Sequence, residues 1–279
     1  MMFEAIIALE NDGVNMAVHG SRLYVRCKRR MHSYEMAGLS EVAAETIFKK
    51  DGQARRIALS GDTLYLTDFC DLHMLDANDF RVKATYRIGQ DLSSDLGAVR
   101  FDATHAYIGM RNGKMVALEQ STGKYRIHDI CESSFWDFCI VGNHIYAGTV
   151  QGELLEIRTE NMQVRRRITP GTKNIYSVLP SGEFLYTVSQ DMSIKAIRID
   201  SLEVVCHARK AVKGMARILG VLDSNVLVSD SGKVSFWSSD ALRHQKSVEI
   251  PTGRYNKGIV LSENVLFGSD LENIYRMLL

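Results

Sequence analysis

The side chains in this sequence that could do chemistry are scattered, and their spacing decides what they can do. Eight histidines (His19, His32, His73, His105, His128, His144, His207 and His244) occur without the i, i+4 or short-spaced partner a zinc site needs. Cys131 and Cys139 follow His128, but the interval matches no nucleophile signature. Asp95, Asp129 and Asp137 are the one acidic grouping that an axial pocket of acid–base type could use, and no GxSxG, P-loop or GxGxxG motif is present. No catalytic residues and no metal ligands are therefore assigned. Binding chemistry is better represented. Arg26, Lys28, Arg29 and Arg30 crowd four cations into five positions, with Arg55 and Arg56 a short distance on. Such a patch suits a phosphate, an acidic peptide or an RNA backbone, although no aromatic residues interleave with it to stack bases. Arg165, Arg166 and Arg167 form a second run, expected on an exposed outer strand where charge discourages edge-to-edge pairing.

Composition limits the partners. Across 279 residues, 34 Lys plus Arg face 33 Asp plus Glu, which argues against a surface that grips nucleic acid or anionic membrane as a whole. Apolar residues at 46% and charged residues at 24% are ordinary for a globular chain. No run reaches the roughly 20 apolar residues of a membrane span, and the first ten residues lack the basic start and small-residue cleavage site of a secretory signal. Five cysteines, an odd number without CxxC spacing, are expected to be reduced thiols in a cytoplasmic protein.

The elements that must position these residues emerge from a repeat. A pair of apolar residues after a Gly, Asp or Asn turn recurs as Leu23-Tyr24, Leu64-Tyr65, Ala106-Tyr107, Ile145-Tyr146, Leu185-Tyr186, Val226-Leu227 and Val265-Leu266, at intervals of 39 to 42 residues. About ten residues later a second anchor keeps the period: Tyr34, Leu75, Leu118, Ile157, Ile197, Trp237 and Met277. Turn signals such as Asn112-Gly113, Gln151-Gly152 and Ser231-Gly232 separate the anchors, and alternating runs such as Arg81–Ile88 follow. This is the grammar of β-hairpins. Each repeat then holds four antiparallel strands, in the third repeat near Ala98–Phe101, Ala106–Met110, Lys114–Glu119 and Lys124–His128. Pro170, Pro180 and Pro251 are expected in connections. A four-stranded unit of this size cannot bury both faces alone, whereas several around an axis can. The expected fold is all-β: a single seven-bladed β-propeller spanning 1–279, with blades starting near 14, 54, 97, 136, 175, 215 and 256. The run over residues 2–9 would supply the outer strand that the last repeat lacks before Leu279.

One segment carries a family resemblance. Gly232-Lys233-Val234-Ser235-Phe236-Trp237-Ser238-Ser239-Asp240-Ala241-Leu242 resembles the end of a WD-repeat, and Asp191–Ile197 is similar with Ile in place of Trp. Gly113–Glu119 followed by Thr122-Gly123-Lys124 is similar to blades of quinoprotein-like propellers, a likeness that does not extend to a quinone cofactor. The Gly-His pair that opens a WD-repeat is absent, as is the Asp after Trp237, so the chain resembles a divergent WD-repeat propeller.

That resemblance implies partner peptides docking on the face formed by the connections from fourth to first strands and from second to third strands. The residues read there are Arg55, Arg56, Asp95, Trp136, Asp137, Tyr176, Lys213, Arg254, Tyr255 and Lys257, an aromatic and basic set suited to an acidic partner. Trp136 and Tyr176 can equally be packed first residues of inner strands. The expected function is a non-enzymatic scaffold, without cofactor, that binds a protein or peptide and is monomeric alone or a subunit of a complex. An enzyme or small-ligand binder using the axial pocket is the alternative, and phosphate or RNA-backbone binding through Arg26, Lys28, Arg29 and Arg30 a second.

Overall fold

Period-two runs bounded by Gly, Asn and Asp turns have no amphipathic helix available to them, and the computed structural model contains strands and turns throughout the residues it describes: 4–8, 14–27, 30–37, 40–46, 54–89, 96–230, 232–250, 258–262, 265–269 and 273–279. None of these residues forms a helix long and apolar enough to cross a membrane.

The strands fall into two compact units, 1–92 with 248–279, and 93–247. The first unit contains β1 (Glu4–Ala8), β2 (Val14–His19), β3 (Arg22–Cys27), β4 (Arg30–Glu35), β5 (Ser40–Thr46), β6 (Ala54–Ser60), β7 (Thr63–Asp68), β8 (Asp71–Asp76) and β9 (Val82–Arg87). The second contains β10 (Leu96–Phe101), β11 (His105–Met110), β12 (Lys114–Glu119), β13 (Tyr125–Asp129), β14 (Phe135–Val141), β15 (His144–Thr149), β16 (Leu154–Arg158) and β17 (Val164–Ile168). It continues with β18 (Ile175–Ser181), β19 (Phe184–Ser189), β20 (Ile194–Arg198), β21 (Val204–Ala208), β22 (Arg217–Leu222), β23 (Asn225–Asp230), β24 (Lys233–Ser238) and β25 (His244–Glu249), whose end crosses the boundary. β26 (Gly258–Ser262), β27 (Val265–Ser269) and β28 (Asn273–Leu278) return to the first unit.

Among the described residues every sheet has four antiparallel strands. Three lie in the first unit, ordered β1-β28-β27-β26, β2-β3-β4-β5 and β6-β7-β8-β9. Four lie in the second: β10 to β13, β14 to β17, β18 to β21 and β22 to β25, each in sequence order. The expectation of a single seven-bladed wheel closed by the N-terminal strand is corrected: the described strands gather into two compact units, one of three four-stranded sheets and one of four.

Burial explains the strand pattern. Second strands are covered on both faces, as in β11, β15 and β19, because neighbouring sheets stack against them. Tyr107, Met115, Phe135, Phe138, Ile145 and Leu155 form one such inter-sheet core, and Tyr146, Leu154, Ile175, Val178 and Leu185 form the next. Each fully buried Leu or Ile stabilises the stack by about 1.5–3 kcal/mol. In the first unit Tyr24, Met31, Leu64, Leu66, Leu75 and Phe80 pack likewise. Fourth strands form the exposed rim, as in β9, β13 and β25. The turns from third to fourth strands repeat one motif: Phe80, Met162, Leu202 and Leu242 adopt φ between 50° and 60°, each N–H donating to the carbonyl four residues back. Apolar side chains tolerate this left-handed strain here because they are buried, while Gly123 fills the same place at φ 70° without strain.

Pro180 departs from expectation by lying within β18, paired with Leu185, rather than in a connection. β18 is the end strand of its sheet, so a missing N–H on its open side costs no ladder bond. At the N-terminus, Glu4, Ala5, Ile7 and Ala8 pair with Arg276, Tyr275, Ile274 and Asn273. Deleting the first ten residues bares the β28 edge, and thermal melting should show a loss of several degrees. An unchanged melting temperature would make this pairing inconsequential.

Candidate functional site

Four consecutive repeats place their first strands, β10, β14, β18 and β22, in one series within the second unit. Asp137, Ser177 and Arg217 occupy one register row, paired with Gly148, Val188 and Ser229, the fifth residues of β15, β19 and β23. The row is stitched by polar contacts. Arg100 Nη2 donates to Asp137 Oδ1 at 2.6 Å, while Ser177 Oγ and the Val178 N–H donate to Oδ2 at 3.2 and 3.3 Å. The Ile218 N–H donates in turn to Ser177 Oγ at 3.3 Å. Asp137 is 5% exposed, and its charge is met by Arg100, whose guanidinium also lies 5.9 Å from the Phe138 ring centre. Cys139, next but one, is buried and its thiol is pushed up by that burial, which removes it as a nucleophile.

Antiparallel pairing puts the turns between second and third strands at the same end as the connections into first strands. Backbone bonds tie them there: Val150 N to Ser134 O at 3.1 Å, Gln190 N to Asn174 O at 2.8 Å and Ala211 N to Met192 O at 2.8 Å. Trp136 and Tyr176, near the starts of β14 and β18, meet edge to face with ring centres 6.0 Å apart, and the Arg111 guanidinium lies 5.3 Å from the Trp136 ring. Both residues are partly buried. Burial raises the Tyr176 phenol. Beyond them Met192 and Met215 are 46% and 70% exposed, and Arg111, Lys173, Lys210 and Lys213 are exposed cations. Among the described carboxylates of this end, Glu132 is exposed, Asp129 meets Lys114 at 2.9 Å, Glu153 and Asp191 are engaged by Arg167 and Lys195, each at 3.2 Å, and the buried Asp230 accepts from the Lys213 N–H at 2.8 Å.

The other expected residues are dispersed. Arg26 lies inside β3 at 2% exposure, not in a loop, because that strand runs on to Cys27; Arg30 opens β4 and is exposed. Arg55 and Arg56 fall within β6, and Arg56 pairs with Thr67. Lys28, Arg29, Asp95, Arg254, Tyr255 and Lys257 lie outside the described residues. Asp129 and Asp137 are not brought together: Asp129 pairs with Lys114 at 2.9 Å and Asp137 with Arg100. No group of three His, Cys, Asp or Glu side chains capable of holding a metal occurs among the described residues.

Two clusters went unforeseen. Glu156 in β16 is fully buried, with Arg165 Nη1 at 3.0 Å, Arg166 Nε in contact, the Tyr146 hydroxyl at 3.4 Å and His144 Nε2 at 3.6 Å. Arg165 and Arg166, read as edge charges, are therefore partners of a buried carboxylate. Asp191, in the turn before β20, accepts from Ser189 Oγ, from the Ser193 N–H at 3.1 Å and from Lys195 Nζ at 3.2 Å. Burial works against ionisation of its carboxyl, but these donors prevail and hold it far below the usual range. The signal for both was a charged residue breaking an otherwise apolar third strand or the turn that leads into it.

No protein-family model matches the sequence, and no curated protein matches it. Solved structures do resemble it. A chain of the mitotic checkpoint complex superposes with a TM-score of 0.83 at 12% identity, covering 99% of this chain and 91% of that one. The β-propeller domain of Cps50 (Swd1) from Myceliophteria thermophila gives 0.80 at 11% identity over 98% and 99% of the two chains. The computationally designed Ika8 protein gives 0.74 at 8% identity over 99% of each. The chain thus has the fold of a WD40-like β-propeller, and identities this low show the fold alone.

Proposed function

We propose that the protein is a non-enzymatic interaction module that holds an acidic protein or peptide on the loop end of residues 93–247. The observation that carries this reading is the conjunction, at one end of four sheets, of exposed Met192 and Met215, the Trp136–Tyr176 pair and the cations Arg111, Lys173, Lys210 and Lys213. Large exposed apolar side chains flanked by exposed cations favour a partner that is apolar at its centre and acidic at its rim. The resemblance to a chain in a crystallised multiprotein complex agrees with it. The protein acts alone or as one subunit of an assembly, in a reducing, cytoplasmic setting that suits Cys131, Cys139 and Cys206, which form no disulfide.

Met215 and Lys213 are exposed, so Met215→Glu and Lys213→Glu should leave the melting temperature unchanged. In a pull-down, each should reduce recovery of the wild-type partner tenfold or more. Recovery of every partner by both variants would overturn the assignment.

A further inference from the structure

The first-strand row contains more positive charge than the protein itself balances. Arg100 and Asp137 neutralise one another at 2.6 Å, and the Ser177 hydroxyl has its one proton committed to Asp137 while it accepts from the Ile218 N–H. Arg217, in the same row one sheet further on, has a guanidinium with no hydrogen bond or ion pair among the described residues. It opens β22 and is partly buried, with part of its surface open. Its surroundings disfavour its charge through burial and through Arg100, with only Asp137, already committed, in its favour. A guanidinium offers five donors in a planar fork and cannot neutralise itself by losing a proton. Folding alone does not favour an unbalanced cation at such a place.

We propose that Arg217 is the anchor for a carboxylate of the bound partner, received at the row formed by Asp137, Ser177 and Arg217, beside the Arg100 that pairs with Asp137. A carboxylate fits the fork with two parallel hydrogen bonds and supplies the missing negative charge, and Arg100 adds attraction while remaining paired. The inference rests on the acidic-partner reading, and it names the residue that selects the acid. The carboxylate can come from a side chain of a peptide or from a small free acid, and the chemistry at Arg217 is the same.

The test compares wild type with Arg217→Met and Arg217→Lys by thermal melting and calorimetric titration at fixed ionic strength. The probes are citrate, inorganic phosphate and a hexaglutamate peptide blocked at both ends, with chloride as reference. Carboxylate should raise the wild-type melting temperature by mass action, and the shift should vanish in Arg217→Met with affinity down tenfold or more. Without carboxylate, Arg217→Met should melt at or above wild type, because an uncompensated charge is gone; a merely structural arginine would give a lower value. Should Arg217→Met not fold, Arg217→Lys decides, since a point charge without the fork should bind at least severalfold more weakly. A shift confined to the peptide identifies the partner as the source, and one shared with citrate identifies a free acid. Equal responses in wild type and variants, or none in wild type, overturn the proposal. If carboxylate binding depends on Arg217 while Met215→Glu and Lys213→Glu retain every partner, the docking end is wrong and the anchor stands.

Discussion

Replacing Arg165 and Arg166 together by Met should be among the most destabilising double substitutions this protein accepts, although both side chains are on the rim. The reason is the partner left behind. Glu156 is fully buried, and the two arginine side chains are 44% and 29% exposed, so the charges they bring cost little to desolvate while the carboxylate they serve costs a great deal. Without them Glu156 keeps only Tyr146 and His144, and stability should fall by about 3–5 kcal/mol, the range for breaking one side of a buried pair. Arg166 also donates to the Ile199 and Asp200 carbonyls of the next sheet, so its loss loosens the stack as well. Adding Glu156→Met should restore most of the loss, because an apolar replacement of the whole cluster leaves no orphan charge. The response to acid checks the sign. Burial pushes the Glu156 carboxyl up, but Arg166 and Arg165 outweigh it and hold it below the ordinary range. In wild type its contribution is therefore present above the unfolded value and lost as pH falls through the folded one. In the double variant burial dominates, the folded value rises above the unfolded one, and the deficit should shrink as pH falls. Urea midpoints of the two proteins at pH 7 and near pH 4 measure this; parallel lines would refute it.

The same cluster shows where sequence reading stops. The 40-residue period, the buried tyrosines at Tyr65, Tyr107, Tyr146 and Tyr186, and four strands per repeat were legible because each depends on local alternation and turn chemistry. Which residue opposes which across a sheet was not. The register of β16 on β17 shifts between Glu156 and Ile157, and that irregularity is what brings Arg165 and Arg166 both to Glu156. Strand length was equally hidden: β3 runs to Cys27 and so buries Arg26, which the charge pattern placed in a loop. One signal was available and unused. Asp137, Ser177 and Arg217 are spaced by 40 residues, the repeat interval itself, so three polar residues at one structural position could have been read as a row. That row and the aromatic pair beside it depend on the backbone turns that lead into them, since a rigid stack fixes side chains only as well as its turns fix the strand ends.

Gly113→Ala tests that dependence. Gly113 has φ +77°, and an added Cβ would lie 2.0 Å from the Cys131 carbonyl oxygen and 2.9 Å from that of Ser133. The turn cannot yield, because the Gly113 carbonyl accepts from the Ile130 and Cys131 N–H groups at 3.2 Å each and its own N–H donates to Met110 O at 3.3 Å. Left-handed strain of about 1–2 kcal/mol therefore adds to a clash with backbone, and the total should reach about 4 kcal/mol. Gly152→Ala, at φ +84° with carbonyl oxygens at 2.8 and 2.9 Å, should cost less. Gly232→Ala, at φ +93° with nothing within 4 Å, should cost only the conformational strain. Denaturation midpoints should fall in that order, and equal losses at all three would show that φ alone matters. Gly113 also follows Arg111 by two residues, so moving its turn shifts the guanidinium from its place 5.3 Å from the Trp136 ring. At temperatures where Gly113→Ala remains folded, Trp136 fluorescence should change and partner recovery should fall with it, while Gly232→Ala leaves both as they are.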